Sequence, residues 1–485
     1  MRCFRADFAA FSHRKVITGG NNCMTETRQV VTRHTVAATG VALYCAGILA
    51  PLLHAAGHVS LSLRIAGLLL LAWVAWRRRS LMTWIFWAMV AGGELGVDAP
   101  AFAVSLRVFS DIFLRLIKTI VAPLILGTLI TGIAAHGQMR SLGRMGLKAL
   151  IYFEVLTTVA MLVGLAAINI TRAGVGLAVP QQQTQIAHAQ VPLRWDEVLL
   201  HTFPENLAKS IADNQILQVA VFAILFGVAL GRLSAENRAP LLRVIESLTA
   251  TMFSFTNIVM YYAPIGVGAA MAYTIGQMGP GVLLHLGRLL LTLYAALVAF
   301  GLVGLLPVAL IAGVPVRRFL RAVAEPATIA FATSTSEAAL PRAMEAMEAL
   351  GVPRRIVAFV IPAGYSFNLD GSTLYLALAS VFVAQAAGVT MSWKQQLFMV
   401  GTLMLTSKGV AGVPRATLIV LLATVAMFHL PEEPIFVILG IDALMDMART
   451  TVNVVGNCLA SVVVARWEGE FGQEMPAVET MDALP

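Results

Sequence analysis

The stretch from Gly440 to Ala465 reads GIDALMDMARTTVNVVGNCLASVVVA. It is apolar enough to cross a bilayer, yet it carries Asp442, Asp446, Arg449, Asn453 and Asn457. Charged side chains at bilayer depth are costly and mark pathways or binding sites. The five residues step by four, three, four and four positions, which puts them on one face of an α-helix. A guanidinium binds a carboxylate through a two-pronged fork, and carboxylates and amides take up cations and N–H groups. One face bearing all three is chemistry for holding a charged solute inside a membrane. The other use of an Asp–Arg pair is a salt bridge that only locks helix packing, and it does not need five polar positions in register.

The rest of the chain must position that face within a membrane. Of 485 residues, 58% are hydrophobic and 12% charged, and the mean hydropathy is +0.80. Several apolar runs reach the roughly 20 residues that a spanning helix needs. The chain therefore reads as a polytopic helical membrane protein. Its net charge of +8 comes from Lys and Arg between the apolar runs, where they orient helices, and it is no signal for nucleic acid. Cys3, Cys23, Cys45 and Cys458 show neither a pairing pattern nor metal spacing. No His/Asp/Glu cluster at metal spacing and no nucleophile with a base stand out, so an enzyme ranks far below a transporter.

Taken in order, residues 1–35 are polar and lack the apolar core of a signal peptide, with Met24 an alternative start. Apolar runs at 36–56 and 60–76 predict a helical hairpin, anchored by Arg77, Arg78 and Arg79. Further spans are expected at 81–94, 105–135, 148–170 and 215–230, then one long helix to Gly276 and another span over 282–312. Basic loops at Arg140–Lys148, Arg232–Arg243 and Arg317–Arg321 fall on the inside, so both termini are expected in the cytoplasm. Residues 171–210 form a polar external loop without a motif.

The second half departs from simple spans. FATSTSEAALP (331–341) and LTSKGVAGVP (405–414) are Ser/Thr/Gly-rich breaks inside membrane-depth helical patterns. Each precedes one long helix with polar residues, expected over 353–387 and 431–466. Irregular backbone at that depth survives only where protein or a water-filled cavity covers it. Two such units in opposite orientation are the sign of an inverted-repeat transporter.

The motifs TSTSEAALP (333–341), NLDGSTLY (368–375), SKGVAGVP (407–414) and DMARTTVNVVGN (446–457) resemble those of the dicarboxylate/amino acid:cation symporters, the glutamate-transporter family. RLIKTIVAPLI (115–125) and IYFEVLTT (151–158) support the resemblance, which covers about 80 to 468. In motif it is nearest to bacterial proton-coupled glutamate/aspartate and C4-dicarboxylate carriers. It implies an all-α fold with inverted repeats, eight transmembrane helices and two re-entrant hairpins, to which this chain adds two N-terminal helices. It also implies a homotrimer in the bacterial inner membrane, an elevator motion, and no cofactor beyond a coupling ion. The expected divisions are 1–35 (N-terminal segment), 36–79 (extra hairpin), 80–316 (six core helices), 317–468 (transport core) and 469–485 (cytoplasmic tail).

By the same resemblance, Arg449 takes the distal carboxylate of a small anionic substrate. The Ser336 backbone holds the other carboxylate, at a helix N-terminus suited to anions. Ser372, Thr450 and Asn453 are further contacts, and Val413 with Pro414 closes the gate. Asp446 is the ammonium acceptor that favours glutamate or aspartate over succinate. Arg415 departs from the Gly of many relatives. Either it faces the vestibule, or it pairs with Asp446 and suits a plain dicarboxylate.

Asn368, Asp370, Ser407 and Asn457 match cation-site positions. Asn457 replaces the Asp of sodium-coupled members, and Phe153 and Leu156 replace hydroxyl-bearing residues. Glu154 is the alternative proton carrier, since a buried carboxyl takes up a proton more readily; a structural hydrogen bond is its other reading. The coupling ion is therefore expected to be a proton, with sodium at Asp370 as the alternative. A C4-dicarboxylate symporter and an anion-conducting channel are the competing functions.

Overall fold

A computed structural model describes residues 21–50, 57–134, 139–177, 203–212, 215–407, 416–428 and 430–472. Every regular element among them is helical. The chain divides into two compact units, Met1–Trp87 and Ala88–Pro485.

In the first unit, α1 (Asn21–Leu49) pairs with α2 (Gly57–Arg78). α1 starts well before the expected residue 36, because a helix need not stop where its apolar run does. Small residues let the two backbones touch: a Cβ on Gly67 would lie 2.7 Å from the Gly40 carbonyl oxygen. Ser60 Oγ donates to the Gly47 carbonyl at 2.7 Å, and Trp87 Nε1 to the Leu68 carbonyl at 3.0 Å. Leu61, Ile65, Leu69, Trp73 and Trp76 are exposed along α2, as lipid-facing residues should be.

The second unit begins within α3 (Leu81–Asp98) and continues through α4 (Pro100–Ser105), α5 (Arg107–Ala134) and α6 (Met139–Thr171). α7 (Leu207–Ala212) and α8 (Ile216–Gly231) follow, then α9 (Ala235–Met260) and α10 (Ala263–Met278). α9 and α10 correct the single helix expected to Gly276: they meet at a 51° bend. The reason is Tyr261-Tyr262-Ala263-Pro264, where Pro264 fits the first turn of a new helix but not the interior of an old one. α11 (Val282–Phe300) runs through a π-helical turn, Gly301–Leu305, into α12 (Leu306–Ile311). By length and apolar composition, five described segments qualify as spans, the interrupted stretch Arg354–Ala386 among them, and the bent pair makes six.

The first expected break is present. α13 (Val316–Thr333) ends at Ser334 in the left-handed conformation, φ 54°, and α14 (Ser336–Leu350) starts after Thr335. The Thr335 side chain caps α14 by accepting from the Ala338 N–H at 3.3 Å. The helix expected over 353–387 is corrected to two, α15 (Arg354–Phe367) and α16 (Asp370–Ala386), interrupted at Asn368-Leu369. Asn and Asp side chains compete for the backbone hydrogen bonds of a helix and Gly raises its entropic cost, and the break is held by partners from elsewhere in the fold. α17 (Trp393–Thr406) and α18 (Ala416–Met427) flank the second expected break, whose residues 408–415, with Lys408, Val413, Pro414 and Arg415, lie outside the described residues. α19 (Glu433–Glu468) is unbroken for 36 residues, about 54 Å at 1.5 Å per residue.

α19 is the hub, packing against α10, α11 and α13 to α16. α6 lies along α16, and α5 along α8, α9 and α10. The α6–α16 crossing is close because position 164 is glycine: a Cβ there would lie 2.4 Å from the Leu374 carbonyl oxygen. Gly164→Ala is therefore expected to lower the melting temperature of the solubilised protein. Gly287→Ala on α11 meets nothing within 4 Å and should leave it unchanged or raise it, since Ala is preferred in a helix by about 0.5–1 kcal/mol. Equal melting of the two variants would contradict this account of the crossing.

Candidate substrate and coupling site

α19 turns its polar stripe inward. Arg449, Asp442 and Asn457 have no exposed surface, and Asp446 and Asn453 only 4% and 3%. Arg449 is held on three sides. Its Nη1 donates to Asp442 Oδ1 at 3.0 Å and its Nε to Asp446 Oδ1 at 2.9 Å. Its guanidinium carbon lies 4.3 Å from the centre of the Tyr375 ring, close enough for a cation–π contact. The spacing makes this possible: Asp446 is one turn from Arg449 and Asp442 two turns, all on one face. Nη2 has no hydrogen-bond partner among the described residues. A fully buried, permanently charged guanidinium with a donor to spare is a receptor for an anion's oxygen.

Asn453, expected to touch substrate, has both ends of its amide engaged here. Its Oδ1 accepts from the Gly371 and Ser372 N–H groups at 2.8 and 3.2 Å, and its Nδ2 donates to Ser372 Oγ at 3.0 Å. It thus caps the N-terminus of α16 from another helix, which is what sustains the break at 368–369. Thr450 lies beside Asp446, with Oγ1 3.5 Å from Oδ1. Ser336 is buried at the first position of α14. Ser407 is buried after α17, and its hydroxyl has no partner among the described residues.

Further along α19 lies a second cluster. Asn368 Nδ2 donates to Asp370 Oδ2 at 3.1 Å and to Asn457 Oδ1 at 3.0 Å, and all three residues are fully buried. Gly456 makes room for it: a Cβ there would lie 2.4 Å from Asp370 Oδ2. Asn368 Oδ1 has no partner among the described residues. The cluster offers one carboxylate and neutral amide oxygens. Phe153 and Leu156 are buried on α6, at 2% and 1% exposure, whereas Glu154 is half-buried on the flank of that helix. The buried carboxyl expected at Glu154 is thus a border residue here.

Two residues around Arg449 have no role assigned from sequence: Tyr375, which is not singled out, and Asp442, which is placed on the polar stripe and nothing more. Both had a signal: Tyr375 ends the NLDGSTLY motif, and Asp442 opens the stripe seven residues before Arg449.

Residues 81–467 match the model of the sodium:dicarboxylate symporter family. The chain belongs to this family. Among its relatives, the proton/glutamate-aspartate symporter of Escherichia coli (strain K12) is 43% identical over 373 residues, 75% of this chain and 85% of its own length. The proton/sodium-glutamate symport protein of Bacillus caldotenax is 38% identical over 408 residues, covering 82% and 97%. The C4-dicarboxylate transport protein of Solibacter usitatus (strain Ellin6076) is 41% identical over 405 residues, covering 82% and 94%. As a member of this symporter family, the protein is an integral membrane transporter and not an enzyme. The matched region starts after the α1–α2 hairpin.

Removing one member of a buried ion pair leaves the other charge uncompensated, typically costing about 3–5 kcal/mol, while replacing all members by neutral groups costs far less. Arg449→Met should therefore lower the melting temperature more than the triple change Asp442→Asn, Asp446→Asn, Arg449→Met. A triple variant that melts below the single one would refute the charge balance drawn here.

Proposed function

We propose that this symporter imports glutamate or aspartate together with protons, by an elevator movement of a transport core within a homotrimer. The observation that carries the proposal is the buried Arg449, with Nη2 unengaged among the described residues and Asp446 one turn away. An acidic amino acid presents a carboxylate for the guanidinium and an ammonium for Asp446. Holding one Arg N–H does not exhaust a carboxylate, which has about four lone-pair directions. A second carboxylate on the substrate would meet the N-terminus of α14 at Ser336.

Charge balance supports coupling. Among the described buried residues, Asp370, Asp442 and Asp446 stand against Arg449, a net charge of −2 when all are ionised. An anionic substrate makes the balance worse, so cations must enter with it. Fewer and neutral ligands weaken cation binding. Asn457 in place of an acid and apolar Phe153 and Leu156 therefore favour the proton, taken up at Asp370 or Glu154, over sodium at Asp370. The basic loops support cytoplasmic termini in a bacterial inner membrane. C4-dicarboxylate import is the second reading. It is favoured by relatives named for that substrate and by the Arg449–Asp446 bond, which occupies part of the expected ammonium acceptor.

The test is uptake of labelled glutamate, aspartate and succinate into proteoliposomes under imposed gradients. Glutamate uptake is expected in choline buffer when the outside is made acidic. Strict dependence on sodium, with no response to the pH gradient, would move Asp370 from proton carrier to sodium ligand. Asp446→Ser should reduce amino-acid uptake far more than succinate uptake. An equal loss of both would favour the dicarboxylate reading.

A further inference from the structure

Two tyrosines from neighbouring helices donate hydrogen bonds into the backbone of α19. Tyr294 on α11 donates its hydroxyl to the Leu444 carbonyl at 2.9 Å. Tyr152 on α6 donates to the Gly456 carbonyl at 3.2 Å. Neither carbonyl needs the bond, since each lies inside an unbroken helix and has its own amide partner four residues on. A carbonyl can nevertheless accept twice. A buried phenol without an acceptor is costly, and these two each find one beside the polar stripe.

Their placement is not symmetrical with respect to the chemistry. Leu444 lies between Asp442 and Asp446, at the Arg449 end. Gly456 lies next to Asn457 and against Asp370, at the coupling end. The two carbonyls are 12 residues apart, which is about 18 Å along the helix and about 120° around it. Asn453 and Asn457 tie the middle of α19 to α16 and to the 368–369 break; the two tyrosine bonds, off the axis and on different sides, add restraints on its roll and slide from α11 and α6. Roll matters here: at the ~5–6 Å radius of helix side chains, a turn of about 20° displaces a group by about 2 Å. Binding geometry tolerates about 0.5 Å.

We propose that Tyr294 and Tyr152 are positioning residues of the transporter, Tyr294 setting the substrate end of α19 and Tyr152 the coupling-cation end. The inference rests on the symporter reading above. The titratable groups facing Tyr152 are Asp370 on α16 and Cys458 on α19, with Glu154 on the flank of its own helix.

Tyr→Phe is a clean probe, because the helical carbonyl keeps its amide partner and no buried polar group is orphaned. The experiment measures proteoliposome uptake by wild type, Tyr294→Phe and Tyr152→Phe, using whichever of glutamate, aspartate and succinate the wild type moves. Tyr294→Phe should raise the substrate KM roughly fivefold, about the worth of one net hydrogen bond, with little change in the coupling-cation concentration at half-maximal rate. Tyr152→Phe should do the reverse. Purely structural roles would lower the maximal rate in both variants and leave both half-saturation values at wild type, and that result overturns the inference. So does a matching shift of both values in both variants. A wild type that moves none of the three substrates defeats the acidic-substrate function proposed above, and the inference with it. Wild-type transport with unaltered variants defeats the inference alone.

Discussion

Everything in this molecule is arranged around one buried positive charge. A guanidinium at zero exposure is unaffordable in hydrocarbon unless its hydration is replaced group by group. Here Asp442, Asp446 and the face of Tyr375 do so on three sides, leaving one nitrogen for a guest. The requirement propagates outward. The carboxylates must be on the same helix face as the arginine, so α19 must be straight through its site. The tyrosine comes from α16, so α16 must start at the depth of that face, which in turn requires the interruption at Asn368-Leu369.

The interruption and the stripe sustain each other. Asn453 lies on the stripe, yet its amide satisfies two N–H groups at the start of α16 and the Ser372 hydroxyl. Asn368 lies in the interruption, yet it bonds Asn457 on the stripe. Binding face and broken helix are one hydrogen-bonded unit. Shared hydrogen bonds in a low-dielectric interior reinforce one another and specify a geometry, and atoms left over among the described residues, such as Arg449 Nη2 and Asn368 Oδ1, are ones a guest can use. Substrate and cation ends belong to the same network, a short mechanical route for occupancy of one to be felt at the other.

What the sequence disclosed depended on whether the signal was local. The stripe of α19 was legible because steps of three and four among otherwise apolar residues have one helical meaning. The break at Ser334-Thr335 was legible because hydroxyl-bearing residues crowd there and Thr335 caps the next helix itself. The break at 368–369 was read through. Apolar patterns continue on both sides of it, and its cap comes from Asn453, more than 80 residues away. The bend at Tyr261-Tyr262 was passed over for a different reason: Pro264 was visible, but a proline marks a kink or a new helix equally well until the packing of α10 against α4, α5 and α19 is known. Tyr375 was hidden by its type, since an aromatic in an apolar helix has no pattern that separates a core residue from a partner for a cation.

The unbroken course of α19 also constrains how such a protein can change over time. Its recognition groups share one rod with a fixed 100° step per residue. An extra residue inserted between Arg449 and Asn453 would swing the cation end about a quarter-turn away from the substrate end while leaving every side chain chemically intact. New specificities on this scaffold are thus reachable by exchanging side chains but closed to insertion or deletion. The reading frame of the helix, as much as its composition, is the inherited trait.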